Sequence, residues 1–221
     1  LRTSRGLGDV YKRQYQYKGR GQYKNKWTST RGKNLLISLY KEFKVLTVQQ
    51  SSYINFVVSL SIIDTIDHYI PSNNYIKWPN DILSAQKKIS GILIENNIKG
   101  DKFNSSIIGI GINVNQTVFR GITNAASIKS IIGKEIRLEE ILDKLIKNIG
   151  YYLKILIARD FDSIMSLYNS RLYGKDYCKF LLNNKTFEGR VLNVNNTGSI
   201  NVKINSMEAK EYQSNRIKIL F

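Results

Sequence analysis

Four groups of residues in this chain have types and spacings that could do chemistry. Arg20 lies between Gly19 and Gly21, and two glycines let backbone N–H groups and a guanidinium close on an anion. Asn80 and Asp81 follow Pro79; proline presets φ and the two short polar side chains bond their own backbone, so the segment turns and offers an amide and a carboxylate at the mouth of a sheet. Lys87 and Lys88 come a few residues later, and Gly91, Gly109 and Gly111 interrupt β-branched runs, leaving room for something to approach the strand backbone. Each feature alone is ordinary. A Lys-Lys pair is usually solvated surface, Asn-Asp after Pro is usually only a turn, and a Gly-Ile-Gly-Ile run is usually a packed strand. The single histidine, His68, sits at a predicted helix end beside Pro71, so imidazole catalysis is not expected.

The elements that must position these groups follow from periodicity. The residue before Pro79 is pushed out of the helical region, which makes 75–78 extended, while 87–97 and 105–115 read as two further strands and 33–39 as a buried one. Ile54, Val57, Val58, Ile62 and Ile66 recur at helical spacing over 48–68, predicting a helix that packs on the sheet. A short helix is expected at 124–132 and a third at 160–172. The longest, 137–158, carries Leu138, Ile141, Leu142, Leu145, Ile149 and Leu153 on one face. From residue 175 the period changes to two: 177–182, 186–193, 199–204, 208–213 and 216–220 read as short strands between Asn-rich turns, a small barrel of SH3 type. The expected fold class is therefore α+β, a mixed sheet packed by helices with a small C-terminal SH3-like β-barrel. Residues 1–14 are Arg-rich without periodicity and look like a non-native, adapter-like segment; they are set aside. The domains expected are 1–14, 15–174 and 175–221.

Composition bounds the function. With 221 residues, 42% of them apolar and 11% aromatic, the chain can bury one good core and a small appendage. One cysteine, Cys178, excludes an internal disulfide and fits a reducing compartment. No apolar run spans a bilayer and no secretory leader is visible, so a cytoplasmic protein without membrane attachment is expected. A net charge of +17 invites a nucleic-acid reading, yet the lysines are dispersed without an aromatic-interleaved stripe. General solubility and steering towards an acidic macromolecule suit that pattern better.

In order along the chain, Lys77-Trp-Pro-Asn-Asp81, Lys88-Ile-Ser-Gly-Ile-Leu-Ile-Glu95 and Gly109-Ile-Gly-Ile-Asn113 together resemble the core of biotin protein ligases. The Gly19-Arg20-Gly21 loop before Lys26-Trp27 resembles the loop that closes on the adenylate in that family. The resemblance covers 15–221 and implies the class II synthetase-like biotin/lipoate ligase fold. It also implies two steps: biotin's carboxylate attacks the α-phosphate of ATP, giving biotinyl-adenylate and pyrophosphate, and a carrier lysine then attacks the mixed anhydride. In this reading Lys88, Asp81 and Arg20 carry the catalysis. Lys88 bridges carboxylate and phosphate, and Asp81 attracts and deprotonates the incoming ammonium. Gln16, Gly19, Arg20, Gly21, Lys88 and Gly91 bind biotin, with Gly91 letting the ring lie against backbone. Gln22, Trp27, Lys77, Asn80, Ile92 and Asn113 bind the nucleotide. Gln22 departs from the pattern, since many relatives carry a second arginine there, and the missing charge is expected to loosen retention of the intermediate. Mg²⁺ would accompany the ATP phosphates, with no protein ligands assigned.

The partner implied is a biotin carboxyl carrier protein, a subunit of acetyl-CoA carboxylase or of another biotin-dependent carboxylase. The family's N-terminal strand and its Ser/Thr-Thr-Asn segment, which grips the ureido ring, should precede Gln16, where the foreign-looking residues stand. Weak biotin binding, or none, is expected on that ground. With no room for an N-terminal helix-turn-helix, specific DNA binding is not expected. Two alternatives remain. A lipoate ligase or octanoyltransferase shares the fold, although octanoyl transfer needs a cysteine and Cys178 falls in the predicted barrel. A basic RNA-binding module would use that barrel without ATP.

Overall fold

The computed structural model describes residues 9–13, 19–22, 26–43, 46–99, 102–205 and 208–221. Their main feature is a six-stranded sheet in the order β1-β4-β8-β7-β6-β5. Its strands are β1 (Asp9–Arg13), β4 (Asn34–Glu42), β5 (Asn74–Lys77), β6 (Asp81–Ser84), β7 (Lys87–Lys99) and β8 (Lys102–Asn113). A two-stranded ribbon, β2 (Gly19–Arg20) with β3 (Lys26–Trp27), lies outside it. Strand direction departs from the mixed sheet expected. All five pairings between these strands are antiparallel, and among the described residues parallel pairing is confined to two isolated bridges, Ile76 with Leu172 and Lys88 with Ala125. The reason is connectivity: β5, β6, β7 and β8 follow one another through short turns, and such turns join only antiparallel neighbours.

Two strands of this sheet were not foreseen, nor was the β2–β3 ribbon. Residues 81–84 pair on both sides, with β5 and with β7. Residues 9–13, set aside from the fold by composition, pair with residues 36–40 of β4. Backbone pairing at an open edge is indifferent to side-chain type, so sequence periodicity gave no sign of β1.

Core and site take opposite faces of the sheet. Leu35, Ile37, Leu39, Ile92, Ile108, Ile110 and Ile112 are buried and belong to the same core cluster as α1 (Ser52–Asp67). That helix is apolar nearly all round, as a helix enclosed on every side must be. It packs against β5, β6, β7, α3 (Leu138–Ile157) and α4 (Phe161–Ser170). Two of its buried hydroxyls turn back onto the helix, Ser61 donating to the Val57 carbonyl and Thr65 to that of Ser61. The amphipathic α3 has Glu139 and Glu140 in its first turn and Lys154 in its last, matching the helix dipole. The short α2 (Ile128–Ile132) is capped by Ser127, whose hydroxyl accepts from Ser130 N. Among the described residues no helix is long and apolar enough to cross a membrane.

The C-terminal strands are β9 (Cys178–Leu182), β10 (Lys185–Val194), β11 (Ile200–Ile204), β12 (Lys210–Tyr212) and β13 (Ile217–Leu220). They form an antiparallel sheet in the order β12-β11-β10-β9-β13. Asn183 and Asn184, both at positive φ, make the tight β9–β10 hairpin. Where sequence reading expects a closed barrel, no pairing between β12 and β13 closes this sheet among the described residues; β12 has only three residues. The sheet is docked on the main domain: Trp78 Nε1 donates to the Gly198 carbonyl (2.9 Å) and Ser52 Oγ to that of Thr197 (2.7 Å).

Candidate active site

The turn between β5 and β6 is pinned from three directions. Asn80 Nδ2 donates to the Ile92 carbonyl (2.7 Å) and Ile92 N to that of Asn80 (2.9 Å). Asn55 on α1 donates to the Pro79 carbonyl, and the Trp78 indole reaches Gly198. Asp81 opens β6 opposite Lys77 and Gly91, so its carboxylate has no freedom to drift.

A β-bulge places the catalytic candidate. On β6 Ile82 faces Ser90 and Leu83 faces Lys88, which leaves Ile89 as the extra residue. Side chains alternate faces along a strand, so Lys88 and Gly91 would ordinarily point to opposite sides. The extra residue reverses that parity. A Cβ on Gly91 would lie 3.2 Å from Lys88 Cε and 3.3 Å from Nζ, which places both on the site face, while Ile89 is fully buried in the core. Lys88 Nζ lies 2.5 Å from Asp81 Oδ1, and Lys77 Nζ 3.6 Å from Oδ2. Lys77 is only 5% exposed, and burial holds its ammonium pKa below the ordinary lysine value against the opposing pull of Asp81.

Gly91 and Gly111, paired across β7 and β8, form a bare patch of floor occupied by the Trp27 indole. A Cβ on Gly91 would meet Trp27 Cζ3 at 2.9 Å, and one on Gly111 would meet Cε2 and Cζ2 at 2.7 Å. Lys88 Nζ stands 5.6 Å from the centre of the same indole, within cation–π range. Trp27 Nε1 is buried without a hydrogen-bond partner. Beside it Arg20 reaches Glu95 on β7 at 3.0 Å.

These groups surround one cavity of about 390 Å³. Of the residues that sequence reading singled out, Arg20, Gly21, Gln22, Trp27, Lys77, Asn80, Asp81, Lys88, Gly91 and Ile92 line it. Three stand apart. Gln16 lies outside the described residues. Gly19 is buried, paired with Trp27, away from the lining. Asn113 is 4% exposed and donates from Nδ2 to the Ala126 carbonyl (3.0 Å). It serves the site indirectly, because Ala126 N donates to the Lys88 carbonyl and Lys88 N to that of Asn124; Asn113 thus braces the segment that holds Lys88.

The lining also contains residues that sequence reading passed over. Glu95 is one, Ser214 comes from the turn between β12 and β13, and Ile217, Lys218 and Ile219 come from β13. Nothing local marked them, since a lysine alternating with isoleucines is the usual pattern of a solvated strand face. Five cations (Arg20, Lys26, Lys77, Lys88 and Lys218) stand against two carboxylates (Asp81 and Glu95) around the cavity. A pocket so charged, with glycine floor and pinned side chains, can hold a polyanion next to a flat apolar ring.

Comparison with known proteins agrees. The biotin/lipoate A/B protein ligase family matches residues 8–113. The bifunctional ligase/repressor BirA of Bacillus subtilis (strain 168) is 27% identical over 206 residues, 90% of this chain and 62% of that protein. Biotin--protein ligase 2 of Arabidopsis thaliana is 30% identical over 170 residues, 73% of this chain and 50% of that protein. The chain thus spans less than two thirds of these relatives. The biotin protein ligase from Aquifex aeolicus, solved in complex with biotin and ATP, superposes with a TM-score of 0.80 at 26% identity, covering 99% of this chain and 91% of that one. The ordered motifs, the strands that carry them and these likenesses agree, and residues 8–113 match the biotin/lipoate A/B protein ligase family.

Proposed function

We propose that this chain activates biotin with ATP as biotinyl-5'-AMP and transfers the biotinyl group to a lysine of a biotin carboxyl carrier protein, in the cytoplasm. The observation that carries the reading is the Lys88 ammonium, set beside Asp81 on the glycine-floored face of a cation-rich cavity. In the first step a biotin carboxylate oxygen bonds to the α-phosphorus and the bond to the β-phosphate oxygen breaks, releasing pyrophosphate. Negative charge gathers where Lys88 stands, and a fixed cation stabilises it without reorganising. In the second step the carrier lysine's nitrogen bonds to the acyl carbon, AMP leaves, and the nitrogen gives up a proton. Both Asp81 oxygens face ammonium groups, so Asp81 acts as a proton acceptor only once Lys88 turns to the phosphate.

Gly91 and Gly111 fit a flat ring laid on backbone, since the Trp27 indole lies there; biotin or adenine takes that place only if the indole moves. Mg²⁺ would arrive with the ATP phosphates and water, the usual manner for this ion. No three His, Cys, Asp or Glu residues cluster among the described residues, so no step is assigned to a protein-held metal. The C-terminal sheet is read as the SH3-like cap of the ligase domain. An octanoyl relay is not supported: Cys178 lies in that sheet outside the cavity, and burial pushes its thiol pKa up to about 12, which leaves little thiolate. Incubation with saturating labelled biotin, ATP and a biotin-carrier domain tests the proposal. Label should reach the carrier only with ATP; no transfer and no biotin-dependent pyrophosphate exchange would overturn it.

A further inference from the structure

Between the ribbon, which ends at Trp27, and β4, which starts at Asn34, the chain runs over the surface. Thr30 and Arg31 are exposed. Gly32, at φ +71°, supplies the left-handed residue of a turn that Lys33 N closes on the Thr30 carbonyl at 3.2 Å. Among the described residues the Thr30 N–H is the first backbone group after Trp27 to bond outside this loop, and its acceptor is Gln116 Oε1 at 2.9 Å. Gln116 is 5% exposed and does not line the cavity.

The partners of this amide allow it one orientation. Oε1 also accepts from Asn34 Nδ2 at 2.7 Å, and Nε2 donates to the Val118 carbonyl at 2.9 Å. A backbone N–H only donates and a carbonyl only accepts, so exchanging the two ends of the amide would break the bonds at both. Asn34 is fixed in the same way. Its Oδ1 accepts from Val114 N at 3.1 Å, which turns its Nδ2 towards Gln116 and, at 3.3 Å, Ser29 Oγ. A buried amide is unfavourable unless its polar atoms are bonded, and an apolar side chain would fill the space without that penalty. What the glutamine adds is a tie between the ribbon's exit leg, the first residue of β4 and the loop after β8.

We infer that Gln116 is a positioning residue for holding the intermediate: it moors the ribbon's exit and so fixes the point from which Trp27 and Arg20 swing over the glycine floor. The inference rests on the ligase reading above. Gln116 touches no reacting atom and acts through Trp27, three residues before Thr30. Three residues reach about 10 Å at most, so the ribbon can open and still return the indole to Gly91 and Gly111. Without the mooring the exit leg gains conformers, and closing the ribbon must freeze them. That penalty falls on binding, because Lys88 and Asp81 stand on strands to which Gln116 makes no bond.

Gln116→Met removes all three bonds at similar volume, Gln116→Glu keeps an oxygen for Thr30 and Asn34, and Thr30→Pro removes the N–H from the exposed side. Tyr152→Phe, which takes a hydrogen bond to Asp64 out of the helical layer, is the destabilised control outside the cavity. The readouts, all on the full chain, are release of biotinyl-adenylate formed without carrier, kcat and KM for ATP in biotin-dependent pyrophosphate exchange, and deuterium uptake over 26–33 without ligand. Gln116→Met and Thr30→Pro should speed release, raise the KM for ATP and quicken that uptake about fivefold or more, as loss of a buried hydrogen bond does. Their kcat should hold within about twofold. Gln116→Glu should recover most of the loss. Tyr152→Phe should lower the denaturation midpoint and leave release, KM and uptake over 26–33 at wild-type values. Wild-type release in folded Gln116→Met overturns the inference; where that variant does not fold, wild-type release in Thr30→Pro does so. An equal change in Tyr152→Phe, or a fall in kcat as large as the rise in KM, also overturns it. Should the wild type form no adenylate, the ligase reading fails and the retention role with it. Uptake over 26–33 then still decides whether Gln116 moors the ribbon, and unchanged uptake overturns that too.

Discussion

Asp81 and Lys88 stand on strands paired along both edges, whereas Arg20 and Trp27 stand on a ribbon of two residue pairs. The first pair is held by a ladder, a bulge and a turn pinned from α1, β7 and the C-terminal sheet. The second is held by one ion pair, whose side chains are 73% and 44% exposed, and by an indole resting on two glycines. Exposed ion pairs contribute little, and a short ribbon has few bonds to lose. Asp81 and Lys88 are therefore rigid, while Arg20 and Trp27 can move with the ribbon.

Substitutions can break or sharpen that contrast. The largest effect is expected at the rigid pair: Lys88→Ala should cut biotin-dependent pyrophosphate exchange by about 10³-fold or more, and near-normal exchange would remove Lys88 from its role. Next comes the floor. Gly111→Val should destabilise the chain by about 1–3 kcal/mol in chemical denaturation, as overpacking does, because its side chain meets the Trp27 ring. In a Trp27→Ala background the penalty should vanish; if it persists, the indole is not what the valine strikes.

Lys77→Met should lower ATP use about tenfold through the lost charge while leaving the chain no less stable at pH 7. The sign follows from burial: the folded ammonium has the lower pKa, so the unfolded chain binds more protons between the folded value and the ordinary lysine value. Stability in the wild type rises with pH across that window. Lys77→Met should flatten the rise, and an unchanged pH profile would count against the burial argument. The smallest effect is expected on the ribbon. A double-mutant cycle of Arg20→Ala and Glu95→Ala should give a stability coupling below about 1 kcal/mol, while Arg20→Ala still speeds adenylate release. A coupling of several kcal/mol would mean that the ribbon is as firmly built as the floor.

Much of the scaffold was legible because burial imposes periods. The stripe from Leu138 to Leu153 became α3, and the alternation after residue 175 became β9 to β13. Asp81, Lys88 and Arg20 were legible as a set because their motifs come in a fixed order. The bracing contact of Asn113 with Ala126 was not legible, since a buried amide and a ligand contact look alike in sequence. Lys218 was invisible, for its strand reads as half-solvated surface until the sheet is docked.

The sequence by itself determined the residue types and the elements that bear them, because helical and strand periods and turn chemistry act over a few residues. Only the tertiary structure decided which face Lys88 takes, since that depends on one extra residue, Ile89, opposite β6. It also decided that Trp27 covers Gly91 and Gly111 and that a lysine near the C-terminal end of the chain joins the cavity. Those outcomes depend on contacts between residues far apart along the chain, and no local pattern encodes them.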